Sequence, residues 1–209
     1  MPQTEKQPNN PVTRASRIGQ SIWLDNLSRD LIESGGLKKY IDVGLRGVTS
    51  NPKIFASAIS EGSAYDGPIK KLARQGKSPA QIYETLAVED IQAAADQLLP
   101  HFEEGLPQDG FVSLEVSPRL AHDARATIEE AQRLWQAVDR PNVFIKVPAT
   151  EEGLEAIRAL IGQGINVNVT LLFSLPRYHE VALAYIQGIE DALDQGETLA
   201  TFTRSRASS

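Results

Sequence analysis

Cysteine is absent from this chain, so it can build neither a disulfide framework nor a thiolate metal site. Histidine is scarce. His101, His122 and His179 stand far apart with no His-x-x-x-His pair, and the sequence therefore gives no reason to expect a zinc site. No apolar run approaches the roughly 18 residues of a membrane span. The stretch from Met1 to Pro11 is polar and lacks the apolar centre of a secretion signal, so the cytoplasm is the expected location. Positive charge is in deficit: 21 Lys and Arg stand against 27 Asp and Glu, a net charge of −6. That balance argues against nucleic acid as the main partner, though it allows a local basic pocket for a small phosphate. Gly-x-Gly-x-x-Gly and Gly-Lys-Ser/Thr loops are also missing, so a dinucleotide or nucleoside triphosphate fold has no support.

What is present suits one substantial core: 209 residues, 41% hydrophobic and 23% charged. Residues 1–16 read as a flexible leader. Ser21–Asp25 reads as a short strand, with a helical stretch from Asn26 to Glu33 and a second from Leu37 to Val43. Gly47–Asn51 is a further strand, closed by Pro52. Helical patterns fill the next stretch. The longest opens on Ser78-Pro79-x-Gln81, a capping box with proline at the first helical position. Gly105, Pro107 and Gly110 break the pattern. Strands are then expected at 111–116, 143–147 and 165–173, each followed by a helix: 118–138, one opened by Thr150, and one opened by Ser174. Strands alternating with helices imply parallel βαβ units. Residues 194–209 read as a disordered end with no sixth strand.

Lys146 stands out. It lies on the apolar strand of Asn142-Val-Phe-Ile-Lys-Val-Pro148, where a charged ammonium is costly unless it is paired or loses its proton. A neutral lysine is a nucleophile for carbonyls. The other strands also carry polar groups near their C-terminal ends: Asp25, Thr49-Ser-Asn51, Glu115, and Asn168 with Thr170. In a (β/α)8 barrel such ends converge on one mouth. An amine nucleophile, carboxylates to move protons and amides to orient substrate point to Schiff-base formation and carbon–carbon cleavage in a ketose.

Five motifs then carry a resemblance: Trp23-Leu-Asp25, Gly47-Val-Thr-Ser-Asn-Pro52, Ser113-Leu-Glu-Val116, Phe144-Ile-Lys-Val-Pro-Ala-Thr150 and Ile165-Asn-Val-Asn-Val-Thr-Leu-Leu-Phe-Ser174. In this order they resemble the transaldolases, over about residues 18–193. The resemblance implies an α/β TIM-barrel fold, here about five βα units with a helical insertion between strands 2 and 3, hence a partial, open barrel in residues 17–193. It implies Lys146 as the Schiff-base lysine and Asp25 as the carboxylate for the cleaved hydroxyl's proton. Glu115 and Thr170 resemble the pair that holds a catalytic water, and Asn51 and Asn168 the amides that bind the dihydroxyacetone portion. The implied reaction moves that unit from sedoheptulose 7-phosphate to glyceraldehyde 3-phosphate, giving erythrose 4-phosphate and fructose 6-phosphate, with no cofactor and with sugar phosphates as the partners. The family's phosphate-binding serine and arginines have no counterpart before residue 194. A silent transaldolase fragment and a fructose-6-phosphate aldolase-like enzyme are the competing readings.

Plainer roles stand beside these. Lys146 could be an ion-paired strand lysine, Asp25 a helix cap, Glu115 a structural salt bridge, and Asn51 a turn residue before proline. Spacing does not choose between Asn166 and Asn168; only the motif match does. Arg177 reads as a helix-surface arginine, and His122 and His179 as solvated.

Overall fold

The computed structural model describes residues 9–104 and 109–196. The chain divides into two compact units, Met1–Val112 and Ser113–Ser209. Residues 1–8, Gly105, Pro107 and most of the expected disordered end (197–209) lie outside the described residues.

The first unit opens with a helix, α1 (Pro11–Arg17), which begins within the stretch read as a leader. The reason is local. Asn10 and Thr13 form a reciprocal capping box, and Pro11 occupies the first turn, where its missing N–H costs nothing. Two short strands follow, β1 (Trp23–Asp25) and β2 (Gly47–Thr49), paired in parallel with Trp23 opposite Gly47. Only glycine fits opposite that indole, because a Cβ at Gly47 would run into the Trp23 ring. Between the strands lie α2 (Arg29–Glu33) and α3 (Gly36–Asp42). Helix α2 starts later than the expected Asn26, because the Ser28 side chain, accepting from Leu31 N–H, is the cap. After β2 come three helices, α4 (Pro52–Glu61), α5 (Asp66–Arg74) and α6 (Pro79–Glu104), the expected helical insertion. The predicted capping box at α6 forms: Ser78 N–H donates to Gln81 Oε1, and Gln81 N–H to Ser78 Oγ. Tyr65, Leu72 and Leu86 pack a small core with Ile59, Ile69 and Ile82.

A buried polar network ties these helices together. Tyr65 is fully buried, and Asp90 is 2% exposed. The Tyr65 hydroxyl donates to Asp90 Oδ2 at 2.7 Å and accepts from Arg29 N–H at 2.8 Å. The Arg29 guanidinium donates to the other Asp90 oxygen and to Glu89. Burial, then the hydrogen bond to Asp90, pushes the Tyr65 hydroxyl well above its ordinary value.

Strand β3 (Phe111–Glu115) straddles the division. In the first unit Gly110 N–H donates to Arg46 C=O, beside the start of β2. In the second unit Val116 N–H donates to Lys146 C=O on β4 (Val143–Pro148). Strand β4 pairs in parallel with β5 (Val167–Thr170). The five described strands thus add in chain order, as the strands of a TIM barrel do. The expected helix over 118–138 is split into a 3-10 turn (Pro118–Leu120) and α7 (Ala124–Val138), because Asp123 caps α7 by accepting from Ala126 N–H. Helix α8 (Glu151–Gly162) is capped by Thr150 and α9 (Leu175–Asp194) by Ser174, both as expected. Strand β5 is shorter than the expected 165–173. Leu171 adopts φ +63°, a left-handed conformation that cannot continue a strand. No described helix is long and apolar enough to cross a membrane.

Candidate active site

The second unit gathers four of the expected site residues. Strand β4 is buried on both sides of Lys146: Ile145 and Val147 are inaccessible, while the lysine side chain retains 11% exposure. Residues two apart on a strand share a face, which places Ser113 and Glu115 together on β3, and Asn168 and Thr170 together on β5, with Asn166 just before it. The parallel register sets Asn168 opposite Lys146 and Thr170 opposite Pro148. From β3, Glu115 Oε2 lies 3.2 Å from Lys146 Nζ. Lys146 thus has a carboxylate at its amine from one neighbouring strand and Asn168 at its register position on the other. The ion-paired reading of Lys146 holds as geometry, and the same pairing is what a proton-transferring site requires.

The register also separates the two asparagines. Asn166 Nδ2 donates to Val143 C=O at 3.1 Å and Pro141 C=O at 3.3 Å, bonds that serve the entry of β4. Asn168 Nδ2 donates to Ser113 Oγ at 2.9 Å, across the width of β4. Ser113 is fully buried and Asn168 is nearly so. Sequence reasoning passed over Ser113. Its position two before Glu115, on the same face, was the available signal.

The loops beyond these strand ends are cross-tied. The Thr150 hydroxyl donates to Ala121 C=O, and His122 Nδ1 lies 3.2 Å from Glu152 Oε2. The backbone N–H of Glu152 itself, and then His122, hold the Glu152 carboxyl below the usual carboxylate range. His122, read as solvated, is 81% exposed at its side chain yet makes this contact. Arg177 pairs with Glu180 one turn on, as a helix-surface arginine does.

In the first unit Asp25 and Asn51 line one cavity of about 460 Å³, with Ser28, Asp30 and Lys53 on its walls. Asp25 is exposed, and it is not a helix cap, because Ser28 fills that place. Asn51 is a cap: its Oδ1 accepts from Ile54 N–H at 2.9 Å at the start of α4. That bond fixes the side-chain orientation and turns Nδ2 away from the helix end. Among the described residues there is no cluster of three or more His, Cys, Asp or Glu suited to a metal ion.

A profile of the transaldolase/fructose-6-phosphate aldolase family matches residues 22–208. The chain belongs to this family. Among curated relatives, a transaldolase of Mycobacterium tuberculosis is 48% identical over 198 residues, covering 94% of this chain and 52% of the relative. A transaldolase of Thiobacillus denitrificans is 49% identical over 185 residues, 88% of this chain and 52% of the relative. One from Mycobacterium leprae is 47% identical over 198 residues, 94% of this chain and 53% of the relative. This transaldolase-family chain thus spans about half the length of the curated relatives it matches. The family membership and the parallel βα architecture agree with the resemblance carried by the five motifs.

Proposed function

We propose that the protein performs transaldolase-type chemistry: Schiff-base transfer of a dihydroxyacetone unit between sugar phosphates. The observation that carries the reading is the placement of Lys146, 3.2 Å from Glu115 and opposite Asn168 on a strand that is otherwise buried. Glu115 takes the ammonium proton, and the neutral amine adds to the ketose carbonyl. Loss of water gives an iminium. The bond between the carbons α and β to it then breaks, with its electron pair passing into the enamine and the β-hydroxyl proton passing to a base. An aldehyde leaves. An incoming aldehyde takes up the enamine, and water returns to release the new ketose. Glu115 with Thr170 would hold that water, and the Asn168 amide would bind the three-carbon unit. Asp25 as the base and Asn51 as a second amide rest on the motif match alone. Donor and acceptor would be sedoheptulose 7-phosphate and glyceraldehyde 3-phosphate. A cytoplasmic setting and independence of any cofactor belong to the same reading.

Incubation with fructose 6-phosphate and borohydride, followed by intact mass, tests the proposal. The expected result is one reduced adduct on Lys146, missing from Lys146→Ala. A well-folded sample without adduct would sink the catalytic reading and favour a silent chain, a possibility motivated by the half-length match. Product formation that needs no acceptor aldehyde would instead mark an aldolase, the other activity in the family's description.

A further inference from the structure

Helix α2 is short, at five residues. A helix of that length is marginal on its own and depends on what grips it. Its first residue, Arg29, is gripped twice. The Arg29 N–H, one of the donors that a helix start leaves without a partner, donates to the Tyr65 hydroxyl at 2.8 Å. The guanidinium donates to Asp90 Oδ1, also at 2.8 Å, while Asp90 Oδ2 accepts from that same Tyr65 hydroxyl. The guanidinium also lies over the Tyr65 ring. Asp90 stands on α6 and Tyr65 just ahead of α5, so both grips come from the helical insertion that follows β2. A buried ion pair adds little net stability, because the cost of leaving water offsets its attraction. What a closed network of this kind does supply is one fixed geometry.

That geometry lies next to the candidate site. Asn26, Leu27 and Ser28 alone stand between Asp25, the last residue of β1, and Arg29. Leu27 is fully buried and Ser28 caps α2, so the turn has little slack. Asp25, Asn26, Ser28 and Asp30 all line the cavity shared with Asn51. Asp25 itself is exposed, and its carboxylate goes where this turn carries it. We propose that Tyr65 is a positioning residue: with Asp90 it holds Arg29, and through Arg29 the turn that carries Asp25, in the pose that proton transfer needs. This role rests on the proposed function, in which Asp25 takes the β-hydroxyl proton as the bond between the α and β carbons breaks. The electron pair of that bond passes into the enamine, and an aldehyde leaves. Tyr65 and Asp90 act through Arg29 and not on the reacting atoms. Losing the Tyr65 hydroxyl therefore leaves iminium formation at Lys146 intact and slows the cleavage step alone.

Borohydride added soon after fructose 6-phosphate separates the two steps. Hydride reduces the iminium to a stable amine, and intact mass shows which iminium it met. Before cleavage the adduct keeps six carbons and the phosphate; after cleavage, once the enamine has taken up a proton, it keeps three carbons. Asp25→Asn is the reference, in which the six-carbon adduct on Lys146 should dominate. Tyr65→Phe should raise the ratio of six-carbon to three-carbon adduct by about tenfold, because a displacement of about 1 Å at a reacting group costs up to about a hundredfold in rate. Amide exchange over residues 26–30 should quicken in the same variant. Asp90→Asn keeps the shape but weakens the hold on Arg29, and it should move the ratio the same way, so a failure of Tyr65→Phe to fold does not hide the answer. Leu72→Ala cuts the core beside Tyr65 without touching the network. It should lower the melting midpoint but leave the ratio unchanged. An unshifted ratio in both network variants, or an equal shift in Leu72→Ala, overturns the positioning role and leaves the proposed function standing. A three-carbon adduct that persists in Asp25→Asn removes the base, and the role with it. A natural chain with neither adduct sinks the proposed function itself.

Discussion

Tyr65→Phe removes one hydroxyl and leaves the ring in place. That hydroxyl donates to Asp90 Oδ2 at 2.7 Å and accepts from Arg29 N–H at 2.8 Å, inside a site where Tyr65 is fully buried. A hydrogen bond to a carboxylate contributes about 1.5–3 kcal/mol, and a buried N–H left without a partner costs about 1–3 kcal/mol. The two effects share one atom and are not additive, so the expected loss is about 2–4 kcal/mol. The stacking of the Arg29 guanidinium 5.2 Å from the ring centre should persist, because phenylalanine keeps the ring. Urea unfolding at neutral pH measures the difference. The pH dependence supplies an independent check. Burial and the bond to Asp90 raise the Tyr65 pKa in the folded state. Above pH of about 10 the unfolded chain gives up the tyrosine proton while the folded chain keeps it, so folded protein binds more protons and stability falls as pH rises. The slope from this one group approaches about 1.4 kcal/mol per pH unit at most. The advantage of the natural chain over Tyr65→Phe should therefore be full below pH of about 10 and shrink above it. A loss under about 0.5 kcal/mol at neutral pH, or a gap that does not narrow in alkali, would refute this account of the network.

Gly188→Ala should destabilise the second unit by about 1–3 kcal/mol, since the methyl meets Arg158 C=O and the Ile161 side chain where α9 crosses α8; thermal melting reads it, and an unchanged midpoint would contradict the close packing. Ser113→Ala leaves the nearly buried Asn168 amide without its acceptor, at a cost of about 1–3 kcal/mol. In borohydride trapping the same variant should keep Lys146 as the labelled site but need more fructose 6-phosphate for half-maximal labelling; an unshifted concentration would deny Ser113 a role in orienting Asn168. Thr150→Ala removes the cap of α8 and the tie to Ala121 C=O, for an expected loss of about 1–2 kcal/mol in denaturant unfolding, while Thr150→Ser should recover most of it.

The parts of the fold that could be read from the sequence are those set by neighbours in the chain. Ser78 with Gln81, Thr150 and Ser174 cap the helices they precede, because a side-chain oxygen bonding an N–H three residues on is a local event. Where two local signals competed, boundaries moved. Asp123 restarts a helix that apolar periodicity carries through from Pro118, and Leu171 turns left-handed in a run whose composition is all strand. The Tyr65–Asp90–Arg29 network left no local trace, for Arg29 and Asp90 are 61 residues apart and each alone looks like a helix-surface charge.

The candidate site divides along the same line. Lys146 and Glu115 could be found as charges misplaced near the ends of apolar strands, since burial cost shows in one strand's own sequence. The choice between Asn166 and Asn168 could not be made that way. Their spacing of two fits one face of an extended chain, and only the pairing of β5 with β4 says which one stands opposite the lysine. A slip of two residues would bring Asn166 opposite the lysine while keeping every side chain on its own face. What holds the register is therefore part of the site. Asn166 bonded to Val143 C=O at one end and Ala149 N–H bonded to Thr170 C=O at the other fix β5 against β4, and so decide which asparagine stands opposite Lys146.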